Sequence, residues 1–412
     1  MKREAALSAF MKIWEQLFST PVHLDSALSK QPPAFKAYLA RSLHSILMRP
    51  TSLAQEVGVG IKSGEPWSLI PQEFKQWRSA QLMSERLWEM RADGDLKEYE
   101  SFPEDFPPHL IEAWTKEWGE KVSHALMKTL SQDAPLGIRV SRHFNRKEIL
   151  ASLSSVIPVP AALSDLAPYG IRIRSYAQIL GTDAFKKGAF EIQDEGSQVM
   201  ALFALWPELF SSYLKSEPSS VKSLNISAPK DAPSWTVVDA CAGAGGKTLA
   251  LADAISGKGQ VFAYDTSEKK IAALKRRASR AGLRNIKGVV VTEGKEEELI
   301  SKFRRRADVV LVDAPCSGWG VLRRNPDIKW RQKPDVLERM PKIQARLLSL
   351  YSELVAPGGR LVYGVCTFRK AETVDITKEF VLARPEFKPG QGGFLGPGPC
   401  DGFYMQVFQR AK

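Results

Sequence analysis

The chain has 412 residues, 44% hydrophobic and 25% charged, with a net charge of +12 at pH 7. That length exceeds one small domain, and the apolar fraction excludes a disordered chain. No apolar run suits a spanning helix, and the start at Met1-Lys-Arg-Glu lacks a secretory core, so a cytoplasmic protein with no membrane partner is expected.

Residues 1–130 read as helices. Leu7, Phe10, Met11, Trp14, Leu17 and Phe18 recur at helical spacing, as do Phe35, Tyr38, Leu39, Leu43, Ile46 and Leu47. A third helix runs through Ile111, Trp114, Trp118, Val122 and Leu126, and Phe106-Pro-Pro is one of the breaks. Six of the ten tryptophans (Trp14, Trp67, Trp77, Trp88, Trp114 and Trp118) fall here, on apolar faces that suit a core better than base stacking. From Ala134 the period changes. Gly137–Val140 and Gly170–Arg174 read as strands and Arg146–Ser154 as a helix, a small α/β segment over 131–188. Its arginines alternate with isoleucines, which suits either an ordinary amphipathic strand or a face that meets phosphates.

Residues 189–412 alternate strand and helix. Strands are expected near Val237, Val261, Val289, Val309, Leu361 and Phe403, with helices over Thr248–Ile255, Glu268–Ala281 and Val336–Val355. The expected fold is a doubly wound, Rossmann-like α/β domain, with the small α/β segment and the helical region before it.

Three runs at strand ends hold the chemistry. After Val237-Val238 comes Asp239-Ala-Cys-Ala-Gly-Ala-Gly-Gly-Lys-Thr248, whose glycines let a backbone approach a ligand and open a helix. It is neither G-x-G-x-x-G nor the phosphate loop, since Gly243 lies one residue too close to Lys247. The next strand ends at Asp265, placed either to hold ribose hydroxyls or to cap the following helix. S-adenosylmethionine, which lacks phosphates, suits this turn better than a dinucleotide. The other runs are Asp313-Ala-Pro-Cys316 and Val365-Cys366-Thr367. If their strands are neighbours, both thiols share the glycine turn's sheet edge. All five histidines precede residue 150, so a Cys–His pair is not expected, and Lys247 or a cationic sulfonium would favour a thiolate. Cys241, Cys316, Cys366 and Cys400 contain no Cys-x-x-Cys pair, so neither a metal nor a disulfide framework is expected.

At these residues the sequence resembles the RNA cytosine carbon-5 methyltransferases, the Sun family, and most of all its bacterial members that act on 16S ribosomal RNA. The matching runs are Cys241–Thr248, Asp313–Gly318, Arg323–Trp330, Val365–Thr367 and Asp401–Tyr404. The resemblance implies that Cys366 adds to carbon 6 of a cytosine and that Cys316 assists the later loss of the carbon-5 proton. Asp313 would hold the cytosine edge, with Lys247 between it and the cofactor. Cys241, Ala242, Gly243, Ala244, Gly245, Gly246, Lys247, Asp265, Glu293 and Asp313 would bind S-adenosylmethionine. It also implies an antiterminator-like helical region before residue 130 and a monomer acting on RNA, at a cytosine that is unpaired or flipped out.

The chain departs from the family pattern at Ala244, where proline is frequent, and at Gly364-Val-Cys-Thr367, where Ser-Thr-Cys-Ser is usual. The acidic pair after it is reduced to Ala371-Glu372. Alternative readings are a transfer-RNA methyltransferase of the same family and a non-catalytic RNA-binding factor in ribosome assembly. Two basic clusters are candidates for RNA contact. One spans Lys269, Lys270, Lys275, Arg276, Arg277, Arg280, Arg284 and Lys287. The other holds Arg323, Arg324, Lys329 and Arg331.

Overall fold

The computed structural model describes residues 3–19, 24–29, 31, 33–48, 83–85, 105–174, 179–219, 226, 234–255, 258–292, 294–332 and 334–412. The chain divides into two units, one of residues 1–133 with 321–334 and the other of 134–320 with 335–412.

The first unit is helical. Its described helices are α1 (Arg3–Ser19), α2 (Leu24–Ser29), α3 (Pro33–Met48) and α4 (Pro108–Leu130). The helical-period residues Phe10, Trp14 and Leu17 of α1 pack with Leu39, Leu43 and Leu47 of α3. Trp114 is buried too, whereas Trp67, Trp77 and Trp88 lie outside the described residues.

The segment 321–334 belongs to this unit, not to the catalytic region in which the sequence reading put it. Helix α3 has no basic residue in its last turn, so its final carbonyls need donors from elsewhere. Lys329 and Trp330 supply them. The Trp330 indole N–H donates to the Leu47 carbonyl at 2.7 Å, and the Lys329 ammonium donates to Met48 and Asp105 carbonyls at 2.6 and 3.2 Å. Lys329 also stands 4.1 Å from the centre of the Phe106 ring. Lys329 and Arg323 are each only 2% exposed. The expectation that they reach RNA phosphates is therefore overturned: burial commits them to the helical unit's interior. The side chain of Arg331 lies outside the described residues.

The second unit begins with β1 (Leu136–Val140), α5 (Arg146–Ser154), β2 (Ala161–Leu163), β3 (Gly170–Ile173), α6 (Asp183–Lys186), β4 (Phe190–Ile192) and α7 (Glu195–Leu205). The four strands form an antiparallel sheet in the order β2-β3-β1-β4, which carries the small α/β segment beyond residue 188. Ile138, Val140, Ile171 and Ile173 fill one face with Ile149 and Leu153 of α5. Two of the alternating arginines, Arg139 and Arg172, are internal ties. Arg139 is buried against Asp253 and Gln193, and Arg172 grips Glu195 with two nitrogens, the longer contact 2.9 Å. Two opposed charges with matched donors are the form in which such groups tolerate burial.

There follow β5 (Thr236–Asp239), α8 (Gly246–Ala254), β6 (Gln260–Asp265), α9 (Glu268–Arg280), β7 (Ile286–Val290), α10 (Glu296–Phe303) and β8 (Ala307–Asp313). α11 (Asp327–Arg331) lies in the stretch that belongs to the first unit, and the last elements of the second are α12 (Pro334–Ser352), β9 (Val355–Val365), α13 (Val374–Ala383), β10 (Phe387–Leu395) and β11 (Phe403–Arg410). The large sheet has seven strands in the order β10-β11-β9-β8-β5-β6-β7. The five strands β5 to β9 run parallel and β11 and β10 antiparallel. Runs such as Val309–Val312 are apolar throughout because both faces of the central strands are covered. From β5 the chain winds outward through β6 to β7, then returns to β8 on the other side of β5. Strand order thus reverses between β5 and β8, and the carboxyl ends of those strands border the crevice where such sheets bind ligands.

Candidate active site at the carboxyl ends of the parallel strands

The glycine turn leaves β5 at Asp239 and enters α8 at Gly246. Gly243 and Gly245 have φ of +55° and +91°, the left-handed region where a side chain is strained. A Cβ at Gly245 would stand 2.7 Å from Leu274 Cγ, whereas one at Gly243 would meet open space. So Gly245 is glycine for packing inside the fold, and Gly243 leaves its backbone exposed for a ligand to approach.

Asp265 stands at the end of β6. Its Oδ2 accepts the Gly243 amide at 2.9 Å and its Oδ1 the Ser267 amide at 2.8 Å. The cap of α9 is Ser267, whose hydroxyl accepts from the Lys270 amide. Asp265 therefore braces the glycine turn from the neighbouring strand. Arg277 braces it from α9, donating to the Ala244 carbonyl at 2.7 Å and to Glu191 at 3.1 Å. Arg280 pairs with Glu191 as well. Two members of the first basic cluster are thus drawn into the fold, while Lys269, Lys270, Lys275, Arg276, Arg284 and Lys287 stay exposed.

Lys247, in the first turn of α8, donates to Asp313 Oδ2 at 2.6 Å. Burial opposes its charge, but the charge and hydrogen bond of Asp313 outweigh that, aided by Cys366 and Asp239, and raise the lysine above its ordinary range. The ammonium is spent on a carboxylate and is not left over the glycine turn, as a phosphate would require. Asp239 is fully buried and accepts the Thr248 hydroxyl at 2.6 Å. Burial pushes its carboxyl up to about 7 against the pull of Thr248. Cys241 is half-buried, and burial followed by the charge of Asp239 moves its thiol far upward, so it is a poor nucleophile. Cys400 is core. Glu293 lies outside the described residues.

The two remaining thiols meet. Cys316 Sγ lies 3.4 Å from Cys366 Sγ, although the residues are 50 apart in sequence. Parallel pairing of β8 with β9 sets Asp313 beside Gly364, and the loops continue the match. The Ala314 amide donates to the Gly364 carbonyl at 3.0 Å and the Gly320 amide to the Cys366 carbonyl at 2.9 Å. The Ser317 and Thr367 hydroxyls, each one residue past a cysteine, are 2.6 Å apart. Any side chain at Gly320 would collide with the Gly402 carbonyl, so the loop closes only with glycine there. The Cys316 thiol is pushed well above its ordinary range, first by the hydrogen bond with Cys366, then by burial and by the Cys366 and Glu372 charges.

The residues that sequence reading missed are those that clamp this pair: Ser317, Thr367, Gln344 and Glu372. The only local signal was an acidic residue a few positions after Cys366.

Residues 226–393 match the family described as 16S rRNA methyltransferase RsmB/F. Over those residues the chain is similar to that family. It is 31% identical over 284 residues to the probable ribosomal RNA small subunit methyltransferase B of Bacillus subtilis, covering 69% of this chain but 57% of that relative. It is 26% identical over 374 residues to the protein of the same description from Synechocystis, covering 88% of this chain and 76% of that relative. Among solved structures, NSun6 from Pyrococcus horikoshii with SFG covers 74% of this chain and 99% of its own, with a TM-score of 0.61 and 17% identity. That likeness establishes the Rossmann-like fold. The RsmB/F family is S-adenosylmethionine-dependent. The residues here fit that cofactor, because Gly243 opens onto free space, Asp265 is fixed beside it and the Lys247 ammonium is engaged by Asp313. Among the described residues no histidine, cysteine and carboxylate cluster suits a metal, and no helix is long and apolar enough to cross a membrane.

Proposed function

We propose that the chain methylates carbon 5 of a cytosine in RNA, with small-subunit ribosomal RNA as its substrate. The observation that carries this reading is the contact between Cys316 and Cys366 at the sheet edge that also bears the glycine turn. Gly243, Asp265 and the turn from Cys241 to Gly246 would hold S-adenosylmethionine. When bound, that group supplies a methyl on a cationic sulfur.

The chain's own residues do the rest. Cys366, with the Lys247 ammonium among its neighbours, attacks carbon 6 as a thiolate. The new sulfur–carbon bond moves electron density to carbon 5, which makes that carbon a nucleophile. Asp313 orients the pyrimidine through its ring edge, with Lys247 holding the carboxylate in place. Cys316, in contact with the attacking sulfur, assists loss of the carbon-5 proton, after which the bond to carbon 6 breaks and Cys366 is restored. The ring face has to be open to sulfur, so the target base is unpaired or extruded. The exposed cations of α9 suit the phosphate backbone of such an RNA.

The test is incubation with labelled S-adenosylmethionine and small-subunit RNA lacking the modification. The expected product is 5-methylcytosine, and Cys366→Ala should lower its formation at least about a thousandfold. Cys316→Ala should accumulate a covalent protein–RNA band on a denaturing gel. Unchanged methylation in Cys366→Ala would end this reading. RNA binding without any methylation would favour a non-catalytic assembly factor.

A further inference from the structure

Glu372 is buried completely, in the short 3-10 turn Lys370–Glu372 that follows Cys366. Its Oε2 accepts the Ser317 amide at 2.8 Å and the Gln344 side-chain amide at 2.9 Å. Its Oε1 accepts from the Arg369 guanidinium at 2.9 Å. Gln344 of α12 also donates to the Pro315 carbonyl at 2.9 Å, and the Tyr363 hydroxyl donates to the Glu372 carbonyl at 2.7 Å. Cys316 is therefore held on both sides: Gln344 fixes Pro315 before it, and Glu372 fixes Ser317 after it.

We propose that Glu372 is a positioning residue for the thiol pair. Its carboxylate seats the loop that bears Cys316 against the turn that bears Cys366, and its charge gives the two sulfurs different roles. The inference rests on the reading above, in which both thiols face the substrate.

A buried carboxylate is costly, and a neutral amide of the same shape would accept the Ser317 amide equally well. The charge needs a separate reason. The charged and titratable groups facing Glu372 are Arg369, Tyr363 and the Cys316 thiol. Arg369 engages only the oxygen that does not meet the Cys316 loop. A second negative charge beside Glu372 is disfavoured, so Cys316 keeps its proton and can donate a hydrogen bond to Cys366 across their contact. Cys366 has the Lys247 ammonium among its charged neighbours. The charge of Glu372 thus disfavours the wrong nucleophile.

The test uses the full chain without RNA or cofactor, so it stands apart from the methylation assay. Iodoacetamide modification of each cysteine is followed against pH and resolved by peptide mass spectrometry. Glu372→Gln keeps the acceptor and removes the charge. It should speed Cys316 modification near pH 8 about tenfold, one unit of its titration, and leave Cys366 within about twofold. Arg369→Met removes the opposing charge and should slow Cys316 about threefold, a reading that survives if the first variant does not fold. Equal acceleration of both thiols would mean a loosened loop, and unchanged Cys316 rates in folded variants would mean no effect of charge. Either result overturns the proposal. Methylation failing while these shifts appear would sink the function and not the placement of Glu372.

Discussion

The two halves of the site are built in opposite ways. The glycine turn is one continuous stretch, 239–248, whose shape is set by backbone conformation and by an amide that donates to a fixed neighbouring carboxylate. The thiol half joins two stretches 50 residues apart, and beside backbone bonds from Ala314 and Gly320 it is held closed by side chains: Ser317 to Thr367, and Glu372 to Ser317. A half built from backbone tolerates drift in its side chains, as Ala244 illustrates. A half built from side chains depends on residues that look incidental in the sequence. Lys247 belongs to both halves, since it rises from the helix the glycine turn opens and ends on Asp313 of the other.

That shared residue offers the sharpest way to break the comparison. Lys247→Met leaves Asp313 without its cation and removes a charge neighbour of Cys366. Stability to urea should fall by about 3 kcal/mol, and cofactor affinity and Cys366 alkylation should both decline. A loss confined to one half would show that the halves are independent. Gly245→Ala should act on the turn alone, costing about 2 kcal/mol because a Cβ is both strained at φ +91° and too near Leu274. Cofactor binding by calorimetry should weaken, while the relative alkylation of the two thiols stays as in the parent.

A pH-dependent effect concerns Asp239, whose carboxyl burial lifts from 3.8 to about 7. Within that window the folded chain keeps a proton that the unfolded chain has lost, so stability declines as pH rises toward 7 and then levels. Asp239→Asn should flatten a decline of up to about 4 kcal/mol in urea titrations across the window. A parent curve already flat between pH 4 and 7 would contradict the burial of that charge.

Much of this was legible in the sequence because backbone-driven features are local. Helical spacing placed α1 and α3, and the apolar runs placed β5, β6, β8 and β9 with their loops at one edge. Strand β10 escaped because Pro389 and Gly390, Gly392 and Gly393 read as loop, whereas an edge strand bonded on one side accepts them. Arg139, Arg172, Arg277 and Lys329 looked like phosphate contacts because charge is visible in a sequence and burial is not. Each is instead matched to an acceptor that lies far along the chain. Glu372 was passed over for the same reason, since its partner is an amide 55 residues away.

The path of residues 321–334 has a consequence for inheritance. Four residues after Cys316 the chain departs to fill the helical unit's interior, and it returns to begin α12. The helical unit is thus one module written in two places. A recombination that swapped only the leading residues for those of a distant relative would strand Lys329 and Trp330 against foreign helix ends. Exchange of the first 133 residues and of the excursion must therefore happen together, and the two stretches are expected to change in step among relatives.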